Sequence, residues 1–183
     1  QQAAHQIALS LAAITFMVSL GISAAGSIRV AYAAGKKEWK KVRNIGTSTL
    51  WMAVGYGLFC ALLFVGLRYQ LPLLFNHEEA VVTFAAHLLI LAAAFQISDS
   101  VQAVGVGLLR GLQDVRIPTL LVGIAYWVLG LPIGYLLAFY TGLEIYGLWT
   151  GLLVGRTCSA SVLTRRFLQL SRRAAEREVD AFG

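Results

Sequence analysis

A carboxylate, Asp99, stands inside the apolar stretch AVVTFAAHLLILAAAFQISDSVQAVGVGLL at residues 80–109. A helix rises about 1.5 Å per residue, so a stretch of this length can cross a hydrocarbon core about 30 Å thick. Asp99 precedes Arg110, the first basic residue after the stretch, by eleven positions. That spacing sets it about 16 Å from the end of the helix, near the middle of a membrane. A charge at that depth costs roughly 2.5–3.5 kcal/mol, and something must offset it. Ionisable residues so placed face a bundle interior or a wet cavity and mark ion, proton or substrate paths. The competing reading is a protonated Asp99 bonded to a neighbouring helix.

The rest of the chain has the same character. Of its 183 residues 58% are hydrophobic and 13% charged, and the mean hydropathy is +0.71. That balance does not fit a water-soluble domain. Five apolar runs, about 6–34, 45–67, 80–109, 117–140 and 145–164, approach the length of a spanning helix. The expected fold class is an all-α polytopic membrane protein with five transmembrane helices. The first run has no basic flank before it and exceeds the length of a signal h-region, so it is expected to stay in the mature chain.

The net charge of +6 follows the topology. Twelve of the fifteen Lys and Arg lie in KKEWKKVR, RGLQDVR and RRFLQLSRRAAER. These segments follow the first, third and fifth runs and share one side if the helices alternate. The positive-inside rule makes that side cytoplasmic, with the N-terminus outside and a basic tail, 165–183, inside. The opposite loops agree: LRYQLPLLFNHEE has one Arg against Glu78 and Glu79, and YTGLE carries Glu144 without Lys or Arg. The basic residues are not interleaved with stacking aromatics, so the expected partner is a lipid bilayer and not a nucleic acid. A chain that starts outside at Gln1 would need an earlier helix or a removed leader, so it is expected to be a fragment of a longer array.

Cys60 and Cys158 lie in separate runs without metal-ligand spacing, which leaves packing or lipid contact as their roles. No phosphate loop, Ser/His/Asp order or paired-His zinc spacing occurs, so neither an enzyme nor a cofactor is expected.

Polar residues within the runs form a seam. Ser19, Ser23 and Ser27 recur every four residues, with Gly21, Ala25 and Gly26 between them, and make a small-residue packing stripe. Arg29 is close enough to the cytoplasmic interface to snorkel there. Phe95, Asp99, Gln102 and Val106 share one helical face, with Gln96 beside them. Phe95 is either the wall of a cation site or packed apolar surface. Gln96 and Gln102 are either interhelical hydrogen-bonding groups or substrate contacts. Pro132, between Gly130 and Gly134, predicts a kink that is either a gating element or a static bend. Tyr126 and Trp127 either line a cavity for flat cations or pack. His5 opens the first run, whereas His87 is too far along its helix to touch Asp99 and reads as structural. With no basic residue read at mid-depth, the seam favours cationic over phosphate-bearing substrates.

The segments AAHQIALSLAAITFMVSLGISAAGSIRVAYAAG and FQISDSVQAVGVGLLRGLQDVRIPTLLVGIAYWVLGLPIGYLLA together resemble the second half of a multidrug and toxic compound extrusion (MATE) transporter of the NorM type. The resemblance rests on AHQIA, SIRV, an Asp before LRGxxDxR, and YWxxGLPxGY at these separations, and it covers nearly the whole chain. It implies a twelve-helix protein of two six-helix lobes, of which residues 1–183 supply the eighth to twelfth helices as a partial C-terminal lobe. The N-terminal lobe and seventh helix would then be missing partners. The implied activity is secondary active antiport at the cell inner (plasma) membrane, exporting organic cations and amphipathic drug-like compounds in exchange for Na+ or H+. By the same resemblance Asp99 matches a cation-coupling carboxylate able to hold Na+. His5 and Gln6 match the AHQ start of the eighth helix near coupling cation and substrate, and Glu78 falls in an outer vestibule. Some relatives carry Tyr where Phe95 stands, which puts direct oxygen coordination there in doubt. Two alternatives stand beside this reading: a lipid-linked precursor flippase of the same wider superfamily, and a non-transporting membrane assembly partner.

Overall fold

The computed structural model describes residues 2–75, 78–140 and 144–182, with side chains described over 6–75, 78–140 and 146–176. Within them the chain forms α1 (Gln2–Gly35), α2 (Trp39–Gly66), the single turn α3 (Gln70–Leu73), α4 (Glu79–Gly111), α5 (Arg116–Ile124), a π-helical segment (Ala125–Gly130), α6 (Leu131–Tyr140) and α7 (Glu144–Phe182). Four stretches, Gln6–Gly35, Trp39–Gly66, Glu79–Gly111 and Arg116–Tyr140, are long and apolar enough to cross a membrane. The fifth expected run, 145–164, forms the first half of α7. It is not among these four, because Arg156, Thr157, Ser159 and Ser161 interrupt its apolar sequence.

Two helices run past their apolar cores for the same reason. α2 begins at Trp39, six residues before the run, because Val42 and Gly46 turn inward. α7 continues through the basic tail, with Leu163, Phe167 and Ser171 fully buried at four-residue intervals. That interval returns each side chain to the same helix face. A Cβ at Gly46 would collide with the Phe167 ring, so the absence of a side chain there is what seats the tail helix against α2. Arg166 Nε donates to Asp114 Oδ2 at 2.6 Å and ties the same helix to the turn after α4.

α4 lies at the centre, packed on α1, α2 and α7. The small-residue stripe of α1 makes close contacts with it. Ser23 Oγ donates to the Ala103 carbonyl at 2.7 Å, Ser19 and Ser100 hydroxyls meet at 2.8 Å, and a Cβ at Gly107 would collide with Ser23. A second ladder, Gly147, Gly151 and Gly155, runs up α7. It lets the backbone approach Gly130 and Gly134 of the fourth span, as small residues spaced four apart do between membrane helices.

The fourth span is irregular immediately before Pro132. Proline donates no amide hydrogen and its ring crowds the carbonyl four residues earlier, that of Val128. The widened π turn over Ala125–Gly130 contains that carbonyl.

Apolar packing concentrates at the two ends of the bundle. Ile7, Phe64, Leu88, Leu89 and Trp149 form one cluster, and Val30, Val42, Leu108, Leu163 and Phe167 the other, at the end bearing the basic segments. The polar seam lies between them.

The glycine ladder generates a stability prediction. Gly151→Ala drives a Cβ into the Gly134 backbone and is expected to cost about 1–3 kcal/mol, as overpacking does. It should be read as a fall in the thermal midpoint of the purified protein. At Gly21 an added Cβ meets nothing within 4 Å, so Gly21→Ala should leave the midpoint unchanged or raise it. Equal midpoints for the two variants would refute the close approach.

Candidate functional site

The seam draws on α1, α2, α4 and the fourth span. From α1, Thr15 Oγ1 lies 3.0 Å from Gln96 Oε1 on α4, and the Tyr56 hydroxyl on α2 donates to the Thr15 carbonyl at 2.9 Å. Further toward the basic end, the Tyr126 hydroxyl in the π-helical segment donates to Gln102 Oε1 at 3.3 Å. In water such hydrogen bonds contribute little net free energy; in an apolar interior, leaving the groups unpaired is the larger effect.

Asp99 sits between these two groups and has a charged partner. Arg156 Nη1 contacts Asp99 Oδ1, with side chains 31% and 15% exposed respectively. The reading of no basic residue at mid-depth is thereby corrected: Arg156 lies in the fifth apolar run and reaches Asp99 from α7. It also overlies an aromatic face, its Cζ 5.5 Å from the Phe95 ring centroid. Phe95 is held edge-on by Trp149, with centroids 5.2 Å apart and planes at 89°. Arg156 Nε is buried and makes no hydrogen bond among the described residues. The cost of a mid-membrane carboxylate is therefore offset by an ion pair within the chain, where the sequence reading had assigned it to a bound cation or a protonated side chain.

Two cavities adjoin this pair, and both Asp99 and Arg156 line each of them. The one away from the basic end has a volume of about 390 Å³ and is walled by Ala12, Phe16, Phe95, Gln96 and Trp149. The other, about 280 Å³, is walled by Phe16, Ser23, Gln102, Val106, Arg110 and Tyr126. Phe95 therefore opens on one cavity, Gln102 and Val106 on the other, and the ion pair stands at their junction. Aromatic walls with a few converging polar groups are the usual make-up of a small-molecule site. Among the described residues no group of three His, Cys, Asp or Glu could hold a metal ion.

The other sequence candidates divide. Phe95, Gln96, Gln102 and Tyr126 meet around Asp99. Gln96 does so while its side-chain oxygen is engaged by Thr15, so it serves the helix interface and the cavity wall together. Trp127 is 75% exposed and lines neither cavity: Tyr126 turns inward and its neighbour faces outward. Gln6 is exposed near the start of α1 and also lines neither cavity, while the side chain of His5 lies outside the described residues. Glu78 stands at the N-cap of α4 and lines a separate cavity with Glu79, His87 and Tyr146. His87 Nδ1 lies 2.8 Å from the Thr83 carbonyl, one turn back on its own helix. Pro132 is exposed, at the start of α6. Arg156 is the residue that sequence reasoning missed. Its signal was the one that singled out Asp99, an ionisable residue in an apolar run.

Known proteins give the site its context. The MatE family model matches residues 2–136. The eukaryotic MATE transporter AtDTX14 superposes with a TM-score of 0.85 at 26% identity, over 96% of this chain and 40% of its own. A multidrug resistance MATE family transporter of the MOP superfamily, in an inward-facing conformation, superposes with a TM-score of 0.83 at 17% identity, over 92% of this chain and 39% of its own. The chain thus spans about two-fifths of the length of these transporters. A multi-pass membrane protein with this helical fold and a family match over most of its length belongs to the MATE family.

Proposed function

We propose that this chain is the C-terminal lobe portion, helices eight to twelve, of a secondary active exporter that moves organic cations and amphipathic drug-like compounds outward in exchange for Na+ or H+. Residues 165–183 form its cytoplasmic tail. The observation that carries the reading is Asp99, a carboxylate at mid-depth that opens onto two aromatic-walled cavities. The family match and the two superposed transporters support the transport class. The concentration of Lys and Arg at one end of the bundle supports a plasma (inner) membrane orientation with that end cytoplasmic.

In this mechanism the Asp99 carboxylate is the common binding group. Na+ or a proton neutralises it and lowers its attraction for a cationic substrate in the same cavity, so export follows from competition for one negative charge. Phe95 offers its ring face to the substrate cation, and Gln96, Gln102 and Tyr126 offer oxygens. His5, Gln6 and Glu78 belong to the outer approach. Access alternates either by bending at the π-helical segment before Pro132 or by rocking of the two lobes as rigid bodies.

Arg156 favours a second reading, a flippase for lipid-linked phosphate substrates, because a guanidinium pairs well with phosphate. Its contact with Asp99 neutralises that charge in this structure, so the cation reading stands first.

Two measurements test the proposal. In proteoliposomes containing the whole transporter, an imposed Na+ or H+ gradient is expected to drive efflux of ethidium in the wild type. Asp99→Asn, folded and inserted to the same level, should lose that gradient-driven component. Equal efflux by both would remove Asp99 from coupling, and no efflux by the wild type would turn attention to lipid-linked phosphates. Pro132→Ala is expected to slow efflux several-fold, because it removes the cause of the irregular turn. An unchanged rate would assign alternating access to rigid rocking.

A further inference from the structure

The two contacts that would recognise an organic cation at this site are already occupied from within the chain. Arg156 places its guanidinium against the Asp99 carboxylate and over the Phe95 ring. A flat or quaternary cation entering the larger cavity would use the same carboxylate and ring face. Arg156 lines both cavities, so it is open to an incoming molecule from either side.

The guanidinium is also held incompletely. A structural arginine in an apolar interior gains from a fork that satisfies its donors, yet Arg156 Nε makes no hydrogen bond among the described residues. Its backbone is fixed, since Gly155 beside it packs against Gly130 and the Ala125 carbonyl. Movement therefore falls to the long side chain, which can swing without a helix shift. The smaller cavity gives it a destination, with Gln102 and Tyr126 oxygens on its wall able to accept hydrogen bonds.

We propose that Arg156 is the resting occupant of the organic-cation site and that a cationic substrate binds by displacing its guanidinium from Asp99 and Phe95. The proposal rests on the reading of these cavities as a cation site. Arg156 thereby sets substrate affinity: it competes for the carboxylate and lowers the affinity of every competing cation to the fraction of time the pair is open. The carboxylate changes one cationic partner for another and is never left bare, while the Gln102 and Tyr126 oxygens of the smaller cavity take up the displaced guanidinium.

Equilibrium binding of ethidium to the purified whole transporter, followed by fluorescence anisotropy without any ion gradient, tests this. If the pair is formed about nine-tenths of the time, Arg156→Gln should tighten binding about tenfold. Arg156→Lys, which keeps the charge but loses the planar fork, should fall between that variant and the wild type. Adding Asp99→Asn to Arg156→Gln should abolish the gain. Ethidium binding that is unchanged or weaker in monodisperse Arg156→Gln overturns the proposal, as does the absence of saturable binding by any of the proteins. If Arg156→Gln does not fold, Arg156→Lys decides, and binding no tighter than wild type overturns the proposal. Absence of gradient-driven efflux together with the predicted tightening would remove coupled export and leave the displacement standing.

Discussion

One ion pair at mid-depth in an apolar bundle governs the arrangement of the helices around it. Removing two charges from water costs several kcal/mol each, and their attraction repays this only when geometry is good. Asp99 on α4 and Arg156 on α7 meet because small residues on the neighbouring surfaces allow close approach. Ser19 and Ser23 on α1 hold α4 from one side, and Gly147, Gly151 and Gly155 bring α7 against the fourth span. A bulkier residue in either stripe would separate helices and pull their polar partners apart. The two apolar clusters stand on either side of this layer and keep it between them.

The π-helical segment contributes in a way that helical periodicity does not anticipate. An i→i+5 turn inserts an extra residue and re-phases every side chain beyond it. Within it Tyr126 turns toward Gln102 while Trp127 stays outside, and it comes just before a proline that disfavours regular hydrogen bonding. The same stretch supplies Gly130, one of the two glycines on which the α7 ladder packs. Distortion and close packing thus occur together, so the position of Arg156 depends on a backbone irregularity on a different helix.

Much of this was legible in the chain because the signals were local. Run length, the four-residue serine repeat and the shared face of Phe95, Asp99 and Gln102 each follow from helix geometry applied to neighbouring residues. Arg156 was not found, although it obeys the rule that marked Asp99. Attention to charge in the loops passed over a single guanidinium in a run whose other residues are apolar or small. The inward turn of Tyr126 and outward turn of Trp127 were not distinguished, because helix geometry separates adjacent side chains without saying which of the two faces the bundle. The burial of Phe167 in the basic tail was likewise hidden, since its partner is the bare backbone at Gly46, more than a hundred residues away in sequence. Gln6 and Glu78 came from resemblance to relatives, and neither lines a cavity with Asp99.

An unpaired carboxylate and a paired one make different machines of the same scaffold. Left alone, a mid-membrane Asp99 would draw in any available cation with the full force of its desolvation, and release would be the difficult step. With Arg156 in place, arrival and departure of a cation are both exchanges of partner at the carboxylate, so Asp99 itself is never left bare in the apolar interior. The barrier then lies in moving one side chain between two adjoining cavities. In a polar layer set between two apolar clusters a charge can change partners while the surrounding packing stays as it is.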